Sequence, residues 1–270
     1  MDYNKLLSGL KRFGSTEQDI CVQGLRVLPE QIKENVVIAP WWNPGTLPDL
    51  GEAELLSPPN QSISVWNIKN HNDEMTFIKT GIGAPVFLDA LLTLGVTNCK
   101  KIVFVGSVGS LDAGIGIGDI VIPEYSVCGD GASRYISSDD LTQDVFGEKV
   151  YPDKHLFDKT VRQTSRICEE NSVKWHRSRN FSVDTITAQF SHIDTIMDMG
   201  CNVIEMETAA AFRAAKLINI PLVALFSVSD NTITNKSLIS GRTIEDMEYR
   251  QFTRRELFPR IILSIFKEVE

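Results

Sequence analysis

Six short apolar runs recur along this chain, and their spacing restricts its fold more than any other feature. They are NVVIAP at 35–40, MTFIKTG at 75–81, KIVFVGSVG at 101–109, DIVIPEYSV at 119–127, CNVIEME at 201–207 and LVALFSVSD at 222–230. Several are rich in Val and Ile and bounded by Gly, Pro or Asp, the pattern of strands covered on both faces. Helix-like segments lie between them: APVFLDALLTLGV at 84–96, KHLFDKTVRQTSRICEENS at 154–172 and ETAAAFRAAKLIN at 207–219. A further helical stretch spans about 243–269, with a break expected at Pro259. Strands alternating with helices predict an α/β protein whose sheet is covered on both faces. WWNPGTLPDLG and SLDAGIGIGD read as loops, and no linker or repeat divides the chain. One domain over residues 1–270 is therefore expected.

Composition narrows the function. A net charge of -8 and a pI near 5.1 argue against nonspecific binding to nucleic acid, while leaving room for a local basic pocket. Cys21, Cys99, Cys128, Cys168 and Cys201 are scattered and never form a CxxC pair, which fits a reducing compartment better than a disulfide framework or a zinc cluster. MDYNKLLSGLKRFG does not read as a signal peptide, and no apolar run is long enough to span a bilayer. The expectation is a soluble cytoplasmic protein without a metal site.

Ligand sites in open α/β sheets gather at the carboxyl ends of strands. Three such ends carry informative residues. In VGSVGSL (105–111), Gly106, Ser107 and Gly109 can offer backbone N–H groups and a hydroxyl to an oxyanion or a base. In IEMETAA, Glu205 and Glu207 flank Met206. A helix N-terminus accounts for one acidic residue there, whereas a pair also suits the adjacent hydroxyls of a ribose. In SVSDN, Asp230 either caps a turn or acts as a partly shielded proton donor. His71, His155, His176 and His192 fit no catalytic signature and read as structural or exposed, although His192 lies near a candidate region.

Together these segments resemble the nucleoside phosphorylase family, which contains purine nucleoside phosphorylases, uridine phosphorylases and nucleosidases. TGIGAP (80–85), GSVGSL (106–111), GIGDIVIP (116–123), DGAS (130–133), FSVDT (181–185), IEMETAA and SVSDN follow the family's order and spacing over about residues 35–235. The resemblance implies a mixed, partly barrel-like sheet flanked by helices, assembled as a dimer or trimer of dimers. It implies that Glu207 holds the ribose hydroxyls, with Met206 packed on the sugar and Glu205 lining the site. It places Ser229, Val108, Gly109, Ile204 and Ile186 around the base, Ile186 standing where the family has an aromatic. Ser107 and Gly106 fall at the phosphate, and Asp230 is the proton donor to a purine leaving group. The substrate implied is a nucleoside. No cofactor is implied, and inorganic phosphate is the co-substrate of the phosphorylase branch.

The chain departs from the family where phosphate binds. Phe104 stands at an arginine position, Trp41-Trp42-Asn43-Pro44-Gly45 replaces the N-terminal Gly-Asp-Pro-x-Arg loop, and the third arginine expected near Gln61 is missing. Losing three cations weakens binding of a doubly charged anion, because such contacts are charge-assisted. Arg134 and Arg179 are the cations near matched motifs, and Glu52 or Glu54 are candidates for activating water. Three readings follow: phosphorolysis, hydrolysis, or nucleoside binding without chemistry.

Overall fold

The computed structural model describes residues 1–71 and 73–267. Ten strands form one mixed sheet: β1 (Asn35–Ala39), β2 (Glu52–Leu55), β3 (Ser64–Asn70), β4 (Asp73–Lys79), β5 (Lys101–Ser110), β6 (Ile120–Cys128), β7 (Lys149–Val150), β8 (Trp175–Ser182), β9 (Val203–Glu205) and β10 (Leu222–Asn231). The order β10-β6-β8-β9-β5-β1-β4-β3-β2 closes on itself because β10 also pairs with β5. Strands β5, β10, β6, β8 and β9 thus make a barrel-like ring, and β1, β4, β3 and β2 extend from it. The expected α/β architecture with a partly closed mixed sheet is what forms.

Helices α1 (Tyr3–Arg12), α2 (Glu17–Leu25), α3 (Ala84–Thr93), α4 (Arg134–Ser137) and α5 (Lys154–Glu170) precede β8. After it come α6 (Ile186–Gln189), α7 (Ile193–Asp198), α8 (Thr208–Ile218), α9 (Ile244–Phe252) and α10 (Phe258–Phe266). The pleat sends alternate strand residues to two cores. Ile102 and Phe104 of β5, with Ala224 and Phe226 of β10, pack among residues of α2, α3 and α8. Val103 and Val105, with Val223 and Leu225, pack among residues of α5 and α10. Both faces are buried, which is why these strands read as continuous apolar runs.

Strands β2, β3, β7 and β8 escaped the apolar-run reading. β8 carries Ser178, Asn180 and Ser182 at buried positions, and it survives because its backbone pairs with both β6 and β9. The C-terminal helix also differs from expectation. It does not break at Pro259; Thr253–Leu257 widen into a π-helical turn between α9 and α10. Proline removes an N–H and crowds the carbonyl four residues back, and the wider turn absorbs both effects. Residues 268 and 269 of the expected helix lie outside the described residues.

Candidate active site

The two glutamates of IEMETAA, separated by Met206, receive very different environments. Glu205 ends β9, and both its oxygens are occupied: Oε1 accepts from Ser182 Oγ at 2.6 Å, and Oε2 accepts from the backbone N–H groups of Glu207 and Thr208, each at 2.7 Å. It satisfies donors at the start of α8 that would otherwise be orphaned. Ser182 Oγ also accepts from Ala209 N at 2.9 Å, so β8 and α8 are tied at one hydroxyl. Glu207 Oε1 accepts from Gly83 N at 2.7 Å, where TGIGAP enters α3 at a glycine with φ of 109°. The helix-cap reading therefore holds for Glu205, while Glu207 reaches across to the start of α3. Burial pushes both carboxyls upward, and the neighbouring Glu205 charge adds to the rise of Glu207, to about 8.

Asp230 sits where β10 slips against β5. Val228 is level with Val108, and Asp230, not Ser229, is level with Gly109. This bulge turns Asp230 towards Gly109, whose missing side chain makes room: a Cβ there would lie 3.0 Å from Asp230 Oδ2 and 3.2 Å from Ile204 Cγ2. Ser229 Oγ is 2.6 Å from Asp230 Oδ1 and donates towards Val108 O at 3.0 Å. The Ser229 hydroxyl thus has two acceptors within reach, the Asp230 carboxyl and the Val108 carbonyl. Burial raises the Asp230 carboxyl against the opposing pull of Ser229, Arg242 and Arg250. Gly109 is also level with Ile204 of β9, the strand that leads into Glu207, so the two carboxyl-bearing segments flank the same stretch of β5.

The third strand end is rebuilt. Phe104 lies in the core against Phe87 and Phe226, with ring centroids 4.4 and 4.8 Å away. Trp42 is 2% exposed and packs edge-on to Phe258 of α10, while Trp41 is 67% exposed under Lys79. The Trp42 indole N–H donates to Ser107 Oγ at 3.2 Å, and Arg250 Nη2 donates to the same oxygen at 2.7 Å. Arg254 lies over the Trp42 ring, 5.8 Å from its centroid. The sequence reading passed over these arginines because RQFTRR on a surface helix carries no motif; their spacing of four was the available signal.

Other candidates fall elsewhere. Met206 and Ile204 pack with Phe181 beside the ring, and Ile186 is exposed on α6. Glu52 and Glu54 lie exposed on β2, with Glu54 paired to Lys69 at 3.7 Å. His176 bonds Asp119 at 2.8 Å, and His192, Arg134 and Arg179 are exposed. All five cysteines are free and buried, and among the described residues no cluster of His, Cys, Asp and Glu could hold a metal. No helix among them is long and apolar enough to cross a membrane.

A model of the Phosphorylase superfamily matches residues 44–256. The chain belongs to that superfamily. Among curated relatives, 5′-methylthioadenosine/S-adenosylhomocysteine nucleosidase of Buchnera aphidicola is 24% identical over 198 residues, covering 70% of this chain and 80% of the relative. Guanosine phosphorylase of Halorubrum lacusprofundi is 23% identical over 186 residues, covering 68% and 73%. The fold is shared with uridine phosphorylase from Vibrio fischeri (TM-score 0.71, 20% identity, covering 88% of this chain and 94% of that one). It is also shared with AMP nucleosidase from Bacteroides thetaiotaomicron (TM-score 0.64, 16% identity, covering 79% and 90%). By name these relatives and structural neighbours include nucleosidases and phosphorylases. Membership supports an enzyme acting on nucleosides.

Proposed function

We propose that this chain cleaves the N-glycosidic bond of a purine nucleoside. Glu207 accepts hydrogen bonds from the ribose hydroxyls, and Asp230 protonates the base as it leaves. Cleavage develops positive charge at C1′ and negative charge on the departing base, so an acid at the base acts where charge changes, while Glu207 holds the sugar by hydrogen bonding. The observation that carries the reading is the Asp230 site, a buried carboxyl pushed upward and held beside Ser229 by a strand bulge. A carboxyl whose protonated form burial favours can give a proton to a purine nitrogen. Phosphate or water then attacks C1′ from the opposite face. Oligomeric assembly and a cytoplasmic setting remain part of the same proposal.

Incubation with inosine, adenosine, methylthioadenosine and uridine, each with and without phosphate, tests it by chromatography of the free base. Purine release, slower for uridine and strongly reduced in Asp230→Asn, is expected. Ligand-induced stabilisation without any base release would replace catalysis with binding alone.

A further inference from the structure

Ser107 stands out on β5: it is exposed on a strand whose neighbouring residues are buried. Its oxygen accepts from both the Trp42 indole and Arg250, so its own proton points away from them, and no hydrogen bond donated by it occurs among the described residues. Arg254 follows Arg250 by four residues, and Arg242 lies at the start of the same segment, donating to the Ser229 and Leu238 carbonyls at 3.5 and 2.8 Å. The Nε atoms of Arg250 and Arg254 are buried without a partner.

Three arginines therefore crowd one edge of the barrel mouth in a chain of net charge -8. No ion pair among the described residues involves any of them. Burial, Arg254 and Arg242 together lower Arg250 to about 10, the direction expected for cations held together without an anion between them. Asp230 is close enough to oppose that shift, but it lies beyond ion-pair distance and burial disfavours its charge. Such a cluster is costly alone and stable around a multiply charged anion. Planar guanidinium forks with an adjacent hydroxyl match the tetrahedral oxygens of phosphate better than a bare carboxylate.

We propose that Arg250 and Arg254, with Ser107 backed by Trp42, bind a phosphate dianion, so that the C-terminal helix carries the cations missing from β5 and the N-terminal loop. None of the three arginines occupies a position where the family resemblance places one. Ser107 precedes Gly109, the residue level with Asp230, by two strand residues, about 7 Å at the usual strand rise. The binding site stands on its own; its use in the reaction rests on the proposed glycosidic cleavage. Two sources share this chemistry: free inorganic phosphate as nucleophile, and a phosphate carried by the nucleoside.

Isothermal titration of the full chain with inorganic phosphate and with inosine 5′-monophosphate against inosine tests the site. Saturable binding of one probe is expected, weakened at least about tenfold in Arg250→Gln and in Arg254→Gln, the loss typical of a charge-assisted bond. Arg255→Gln, an exposed neighbour, should leave it unchanged. Arg250→Lys keeps the charge and removes the fork, so the series stays readable should the glutamine variant unfold. Binding of inorganic phosphate together with faster base release identifies the free anion. A monophosphate that binds more tightly than inosine, with the advantage lost in Arg250→Gln, identifies the substrate-borne one. No binding of either probe, or binding indifferent to both arginines, overturns the site. Intact phosphate binding without any base release would instead defeat the reaction and leave the site standing.

Discussion

Replacing Glu207 by glutamine should stabilise the protein, and increasingly so as pH rises. Its carboxyl moves from an ordinary 4.5 to about 8 through burial and the adjacent Glu205. Between those values the folded chain holds a proton that the unfolded chain has released. Stability from this group is therefore complete below pH 4.5 and is lost progressively up to pH 8. At about 1.36 kcal/mol per unit, the gap of roughly 3.5 units sets a ceiling of about 5 kcal/mol. Glu205 shares the repulsion and can relax, so about 2–3 kcal/mol is the working expectation. For a chain of this size that corresponds to roughly 4–10 °C in Tm. Glutamine keeps an oxygen for the Gly83 N–H and never ionises. Calorimetry at pH 5, 6, 7 and 8 should show variant and parent nearly equal at pH 5, with the variant higher by the full amount at pH 8. A difference that stays constant across that range would refute the reasoning, because it would mean that Glu207 titrates normally.

Further outcomes follow from the same geometry. Asp230→Asn should lower kcat by roughly 10²–10⁴, the usual contribution of a positioned acid, without loss of Tm at neutral pH, since it removes a buried ionisable group; unchanged turnover would exclude the acid role. Ser182→Ala withdraws a donor from Glu205 and an acceptor from the Ala209 N–H, and should cost about 1–3 kcal/mol in denaturant unfolding; a smaller change would place Glu205's support elsewhere. Gly109→Ala puts a methyl 3.0 Å from Asp230 Oδ2, so base release should fall while circular dichroism stays native. Phe104→Ala leaves a cavity between Phe87 and Phe226 and should cost roughly 3–5 kcal/mol, confirming a packing role at the former cation position.

Much of the fold was written in local pattern. The runs of β1, β5, β6 and β10 and the helices α3, α5 and α8 were readable because burial on both faces or on one stripe leaves a periodic apolar trace. β8 left none, since its buried positions include Ser178, Asn180 and Ser182, and of these Ser182 bonds across the ring to Ser126 and Glu205. The π turn before Pro259 was equally silent, because sequence marks the proline and not the way a neighbouring turn absorbs it.

The candidate site divides in the same manner. Glu207, Asp230, Ser107 and Gly109 sit in short contiguous motifs at strand ends, so the sequence alone singled them out. It could not divide labour between Glu205 and Glu207, which differ only in which donors the fold brings to each oxygen. Nor could it place Arg250 beside Ser107, a contact spanning 143 residues. Local sequence determined the strands and the motifs they carry. The packing of the C-terminal helix across the barrel mouth decided where the positive charge lies, because charge acts through distance in space and not along the chain.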